Sequence, residues 1–178
     1  KNLDFAAIAD IHSIKRQIHA HKGHGEIAVK GHNIKLGQGG IREIEFFVQT
    51  QQLIAGGRMT DLRGRATEPM LHALARANWI DPKTASELTE AYWFLRDVEH
   101  RIQMVRDEQT HLLPETEAEL KRIAFMLGFE TTAAFSEKLV EVLRAVERRY
   151  AALFEQEAKL SSETGNLVFS GQKDDPDT

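Results

Sequence analysis

The chain has no cysteine, so neither a disulfide framework nor a thiolate metal site can be part of its chemistry, and an intracellular home is compatible with that. It also lacks any apolar run near the roughly 20 residues needed to cross a bilayer, and nothing in it has the pattern of a signal peptide. Basic charge is not in excess: 23 Lys and Arg stand against 27 Asp and Glu, a formal charge of -4. That balance argues against a general binder of nucleic-acid backbone. Catalytic signatures are missing too. There is no Gly-x-Ser-x-Gly, no His-Glu-x-x-His and no pair of aspartates on a strand of the kind that holds metal in a transferase. The first residue is Lys rather than Met, which leads us to expect a fragment with part of its function upstream.

What remains is 178 residues with 42% hydrophobic content, enough for one core, and most of the apolar residues recur at helical spacing. The expected fold is mainly α, a helical bundle with a short strand and glycine-turn element near the N-terminus. The stretch from Ile34 to Phe46 organises it. A short strand is expected to end at Leu36. Gly37, Gly39 and Gly40 then make a turn, and a helix starts near Ile41 and runs to the Gly56-Gly57 stop. On this helix Arg42, Glu45, Gln49 and Gln52 are spaced by three and four and form one polar ridge among apolar neighbours. Two readings stay open. The ridge is either an interhelical polar seam, or part of an anion site in which the glycine turn offers backbone N–H groups with Lys35 and Arg42 on either side. The glycine spacing matches neither a P-loop nor a dinucleotide fingerprint.

Before this stretch, Phe5, Ile8, Ile11, Ile14 and Ile18 predict an amphipathic helix over Leu3 to His21. His19, His21 and His24 read as a solvated cluster, since the first two point to different sides of a helix. Ile27 to Lys30 and Asn33 to Leu36 alternate weakly around Gly31, as a two-stranded remnant or an irregular connection. After the organising helix comes a loop with Arg58, Arg63 and Arg65, either solvated or available to phosphates or acidic partners. A short helix follows from Thr67. Asp81-Pro82 opens a long one, reaching about Asp107, with a core stripe of Leu88, Tyr92, Leu95, Val98, Ile102 and Val105. Its second stripe, Arg96, Glu99, Gln103 and Asp107, has the same character as the first ridge. We expect the two ridges to face each other, with Arg42 and Glu45 pairing Glu99 and Arg96 and any ligand groove along the seam. Thr116 and Glu119 read as a capping box for a helix that stops at Gly128. A last helix runs from about Thr132 to Lys159 before a linker-like tail.

Lys35-Leu-Gly-Gln-Gly-Gly-Ile-Arg-Glu-Ile-Glu-Phe-Phe-Val-Gln49, continuing through Gln52-Leu-Ile-Ala-Gly-Gly-Arg58, closely resembles the bifunctional glutamine synthetase adenylyltransferase/adenylyl-removing enzymes of bacteria. So do Phe94-Leu-Arg-Asp-Val-Glu-His-Arg-Ile-Gln103, Asp107-Glu-Gln-Thr-His-Leu-Leu-Pro114, and Gly165-Asn-Leu-Val-Phe-Ser-Gly171 before Asp174-Asp-Pro176. The resemblance implies two nucleotidyltransferase cores in tandem, each followed by a helical domain, with this chain following the first, AMP-removing core. It implies residues 1–40 as the end of or junction with that core, 41–160 as the helical bundle, and 161–178 as a flexible linker toward the second core. The parent would be cytoplasmic, would use Mg2+ and ATP or ADP, and would meet glutamine synthetase, the PII signal protein and its own two cores, with no nucleic acid and no membrane. The catalytic aspartates would lie before position 1, leaving this segment non-catalytic and with no metal of its own. Lys35, Gly39, Gly40, Arg42, Glu43, Glu45, Gln49, Arg96 and Glu99 are the candidates for the groove or junction. The alternative is a helical interaction module that contacts glutamine synthetase or PII.

Overall fold

A computed structural model describes residues 27–55 and 59–164, with side chains described up to Leu153. The helix expected over Leu3 to His21, the histidines His19, His21 and His24, the residues Gly56, Gly57 and Arg58, and the tail from Gly165 lie outside the described residues. The described part is mainly helical. Its elements are α1 (Ile41–Ala55), a 3-10 turn (Thr60–Leu62), α2 (Thr67–Arg76), α3 (Pro82–Arg106), α4 (Glu117–Met126) and α5 (Thr132–Thr164). The N-terminal strand reduces to a single antiparallel bridge, and its partner is distant in sequence: Asn33 pairs with Leu112, while Ile34 to Leu36 lie in turns. Asn33 itself prevents an extended run there, because its side-chain oxygen accepts the backbone N–H groups of Lys35 and Leu36 at 3.1 and 2.8 Å.

The helix ends follow local chemistry. Asp81 caps α3 by accepting the N–H of Lys83, with Pro82 in the first turn, and Asp107 ends the helix in the left-handed region at φ 51°. Thr116 accepts the N–H of Glu119 and donates its hydroxyl proton to the Glu119 carboxylate, so the expected box forms through a side-chain pair. α4 ends at Met126, and Gly128 turns the chain at φ 85°. Thr131 accepts the N–H of Ala134 at the start of α5.

α3 is central and packs against all four other helices, while α5 closes the bundle across α1, α3 and α4. Leu88, Leu95, Val98 and Ile102 of α3 meet Phe135, Leu139, Val142, Leu143, Val146 and Leu153 of α5 and Ile41, Ile44, Phe47 and Val48 of α1 in one continuous core. Phe94, Phe129 and Phe135 stack edge to face between α3 and α5. This core fixes the direction in which α1 presents its other side.

Candidate functional site

The glycine turn is specified by steric limits at each glycine. A side chain at Gly37 would collide with the Asn33 carbonyl, and one at Gly40 with the Ile34 carbonyl. Gly39 adopts φ 71° and lies so close to α5 that an added Cβ would sit 2.1 Å from the carbonyl oxygen of Leu143. Gln38 donates its amide to Glu147 of the same helix, so the turn is clipped to α5 at two successive residues.

The backbone N–H groups of Gly37, Gly39 and Gly40 are already used within the chain. Gly40, Ile41, Arg42 and Glu43 donate to the carbonyls of Gly37, Ile34, Lys35 and Gly40 at 2.9–3.1 Å, which accounts for the N–H groups of the residue before α1 and of its first three residues. The N–H of Gly39 goes to the carboxylate of Glu43 at 2.8 Å. These N–H groups are therefore engaged within the chain, and Glu43, 6% exposed, is the carboxylate held at this helix start. Next to it the Tyr150 hydroxyl of α5 is pushed well above the usual tyrosine range, first by burial and second by the Glu43 charge.

The polar ridge of α1 faces outward. Its buried arc carries Ile41, Glu43, Ile44, Phe47, Val48, Thr50, Gln51 and Ala55, which leaves Arg42, Glu45 and Gln49 on the other side. The Arg42 side chain is 51% exposed and pairs at 3.9 Å with Glu45, one turn along its own helix. Gln49 is exposed, and Gln52 donates to the carbonyls of Leu62 and Gly64, holding the loop that carries Arg63 and Arg65. α1 and α3 do pack together, yet the expected cross-pairs Arg42–Glu99 and Glu45–Arg96 give way to pairs within each helix, because apolar side chains occupy the contact between them. Lys35 is half-buried beside the turn.

On α3 the stripe divides. Glu99 is 3% exposed, Arg96 and Gln103 are half-buried, and His100 and Asp107 are exposed. Arg96 donates to Glu99 at 3.1 Å. His111, beyond the end of the helix, brings its Nδ1 within 2.7 Å of the other Glu99 oxygen, a close polar contact with the ring turned off the hydrogen-bond axis. His111 appears in the sequence only as one letter of a motif, and Glu43 only as a junction candidate. Their buried roles depend on which arc of a helix faces inward and on a pairing between distant segments. Among the described residues no three or more of His, Asp and Glu converge on a possible cation site, and no helix is long and apolar enough to cross a membrane.

The GlnD PII-uridylyltransferase family matches residues 11–154, and so takes in nearly all of the bundle just described. The chain belongs to this family. Within the GlnD PII-uridylyltransferase family it is similar along all 178 residues to proteins named bifunctional glutamine synthetase adenylyltransferase/adenylyl-removing enzyme. Identity is 82% with those of Agrobacterium fabrum strain C58 and Rhizobium meliloti strain 1021, and 54% with that of Caulobacter vibrioides. The chain spans 18% of the length of each.

Proposed function

We propose that the chain is the helical domain that follows the first nucleotidyltransferase core of a bifunctional glutamine synthetase adenylyltransferase/adenylyl-removing enzyme. There it supports the reversible attachment of AMP to a glutamine synthetase tyrosine in nitrogen regulation. The observation that carries this reading is the 82% identity over the whole chain to relatives of that name, of whose length the chain covers 18%. Residues 1–40 form the junction with the core, 41–160 the bundle, and 161–178 the link to the second core. Mg2+ and ATP or ADP act in the cores. The segment contributes no metal-binding aspartates and is not catalytic alone.

The division of labour within the junction follows from exposure. Arg42, Glu45 and Gln49 present a polar face outward, with Lys35 at its edge, and these are the groups that meet the core or substrate. Gly39, Gly40 and Glu43 fix the turn from inside, and Arg96 and Glu99 act from within the bundle. The test is to restore the flanking sequence of a relative and measure both removal and attachment of AMP on glutamine synthetase. Arg42→Ala and Glu45→Ala are expected to lower the AMP-removing rate. Unchanged rates in both overturn the junction role.

A second reading is favoured by the outer face of α3, where Trp93 and Met104 are exposed and lie on one side of the helix at positions separated by three turns, with His100 between them. On this reading the domain is an interaction module for glutamine synthetase or the PII protein. Calorimetric titration of the chain with each protein separates the two: binding that Trp93→Ser abolishes supports the module.

A further inference from the structure

Glu99 occupies a core position. Its neighbours Leu95, Val98 and Ile102 are fully buried, and an isolated carboxylate among them would be strongly disfavoured without countercharge. Arg96 supplies one cation from the preceding turn. The second close partner, His111, belongs to a separate piece of chain with its own task. Residues 111–113 pair with 31–34 through three backbone hydrogen bonds: Ile34 N–H to the His111 carbonyl at 3.0 Å, Leu113 N–H to His32 at 2.9 Å, and Gly31 N–H to Leu113 at 3.1 Å. Ile34 in turn accepts the N–H of Ile41 at 2.9 Å, the first residue of α1. A continuous path therefore leads from Glu99 through His111 and Ile34 to the start of the helix that carries Arg42, Glu45 and Gln49.

A two-stranded pairing this short is marginal by itself. The buried side chains of Ile34 and Leu113 attach it to the core, but apolar contact has little direction and leaves sliding and rotation open. The approach of His111 Nδ1 to a Glu99 carboxylate oxygen at 2.7 Å ties one particular atom pair together and leaves less room for sliding. We propose that Glu99 is a positioning residue: through His111 it fixes the paired segments 31–34 and 111–113 on α3, and so sets where the glycine turn launches α1. This geometric claim stands without any assignment of activity; its consequence for catalysis in a longer enzyme rests on the function proposed above.

Amide hydrogen exchange on the 178-residue chain tests it. In Glu99→Gln, the Ile34 and Leu113 amides are expected to exchange at least about tenfold faster, while amides of Leu139 to Val146 in α5 stay within about twofold of the parent chain. His111→Gln, at a partly exposed site that tolerates change, is expected to give the same local pattern even if Glu99→Gln folds poorly. The double variant should exchange no faster than the faster single one, because each removes the same contact. Equal acceleration in the paired segments and α5 overturns the proposal, as does an unchanged Ile34 or a double variant equal to the product of the singles. If the local pattern holds in the chain while Glu99→Gln in a full-length relative leaves kcat and KM for modified glutamine synthetase unaltered, the positioning role stands and the junction reading fails.

Discussion

Glu43 and Glu99 are both carboxylates inside the bundle, and they are held by different means. Glu43 sits in the first turn of α1, where the helix dipole favours a negative charge, and binds the backbone N–H of a glycine four residues before it. Glu99 lies well inside α3 and is met by the Arg96 guanidinium and by the His111 ring, the latter from beyond the end of the helix. The first arrangement depends on backbone shape and therefore on glycine. The second depends on which side chains stand at two distant positions. Damage to the first should act through sterics, and damage to the second through unbalanced charge.

The largest effect is expected at the steric side. Gly39→Ala places a methyl group against the Leu143 carbonyl from a left-handed backbone, and should destabilise the chain by about 3–5 kcal/mol. Gly128→Ala is the control, since Gly128 is also left-handed at φ 85° but has nothing within 4 Å of the added carbon; about 1 kcal/mol is expected there. Urea unfolding of both variants gives the difference. Equal losses would show that the approach of the turn to α5 costs nothing, and that Glu43 is not held by a rigid frame.

On the charge side, Arg96→Gln combined with His111→Phe leaves the Glu99 carboxylate buried without either side-chain partner, and should cost about 2–4 kcal/mol. Adding Glu99→Leu to that pair should recover most of the loss, because an apolar side chain suits the pocket formed by Leu95, Val98 and Ile102. A triple variant no more stable than the double would mean that packing, not charge, was lost.

A smaller effect distinguishes the two carboxylates by pH. Tyr150 is held protonated in the folded chain by burial and by the Glu43 charge, so its folded pKa lies above the unfolded value of about 10. The unfolded chain then releases the proton first. Stability from this source is complete below about pH 10 and declines as pH rises above it. Tyr150→Phe should remove the decline, and Glu43→Gln should reduce it, while Glu99→Gln leaves it unchanged. The chain has two tyrosines, so phenolate absorbance in a Tyr92→Phe background reports Tyr150 alone.

Within the described residues, the helices, their caps at Asp81 and Thr116, and the inward face of α3 were legible in the sequence because apolar period and capping residues act locally. The direction of the α1 ridge was not. Arg42, Glu45 and Gln49 form a clear stripe, but Thr50, Gln51 and Glu43 are also polar, and only the packing of α2, α3 and α5 decides which set goes inside. Gln51 is buried because Trp79 donates its indole N–H to it at 2.6 Å, a contact between the loop before α3 and α1 that no spacing rule reveals. The bridge between Asn33 and Leu112 has the same origin: its partner lies far along the chain, where alternation within a single segment carries no information. The glycine turn was found as a turn, but that its N–H groups are consumed internally required the Glu43 side chain to be placed.

The outward stripe gives the smallest change in stability and the cleanest reading of function. Arg42 and Glu45 form a partly exposed pair at 3.9 Å on a single helix, a contact that salt and side-chain entropy leave with little net value. Arg42→Ala and Glu45→Ala should therefore each alter unfolding free energy by less than about 0.5 kcal/mol. Neither replaces a buried group, so a loss of AMP removal in the full-length enzyme carrying either one would have to come from a lost contact outside this bundle. Gln49→Ala extends the same face by one turn and should follow the same pattern if the contact is a surface rather than a point. A large stability loss in any of the three would mean that this side of α1 is covered within the domain itself, and the contrast between an inward carboxylate pair and an outward polar face would no longer hold.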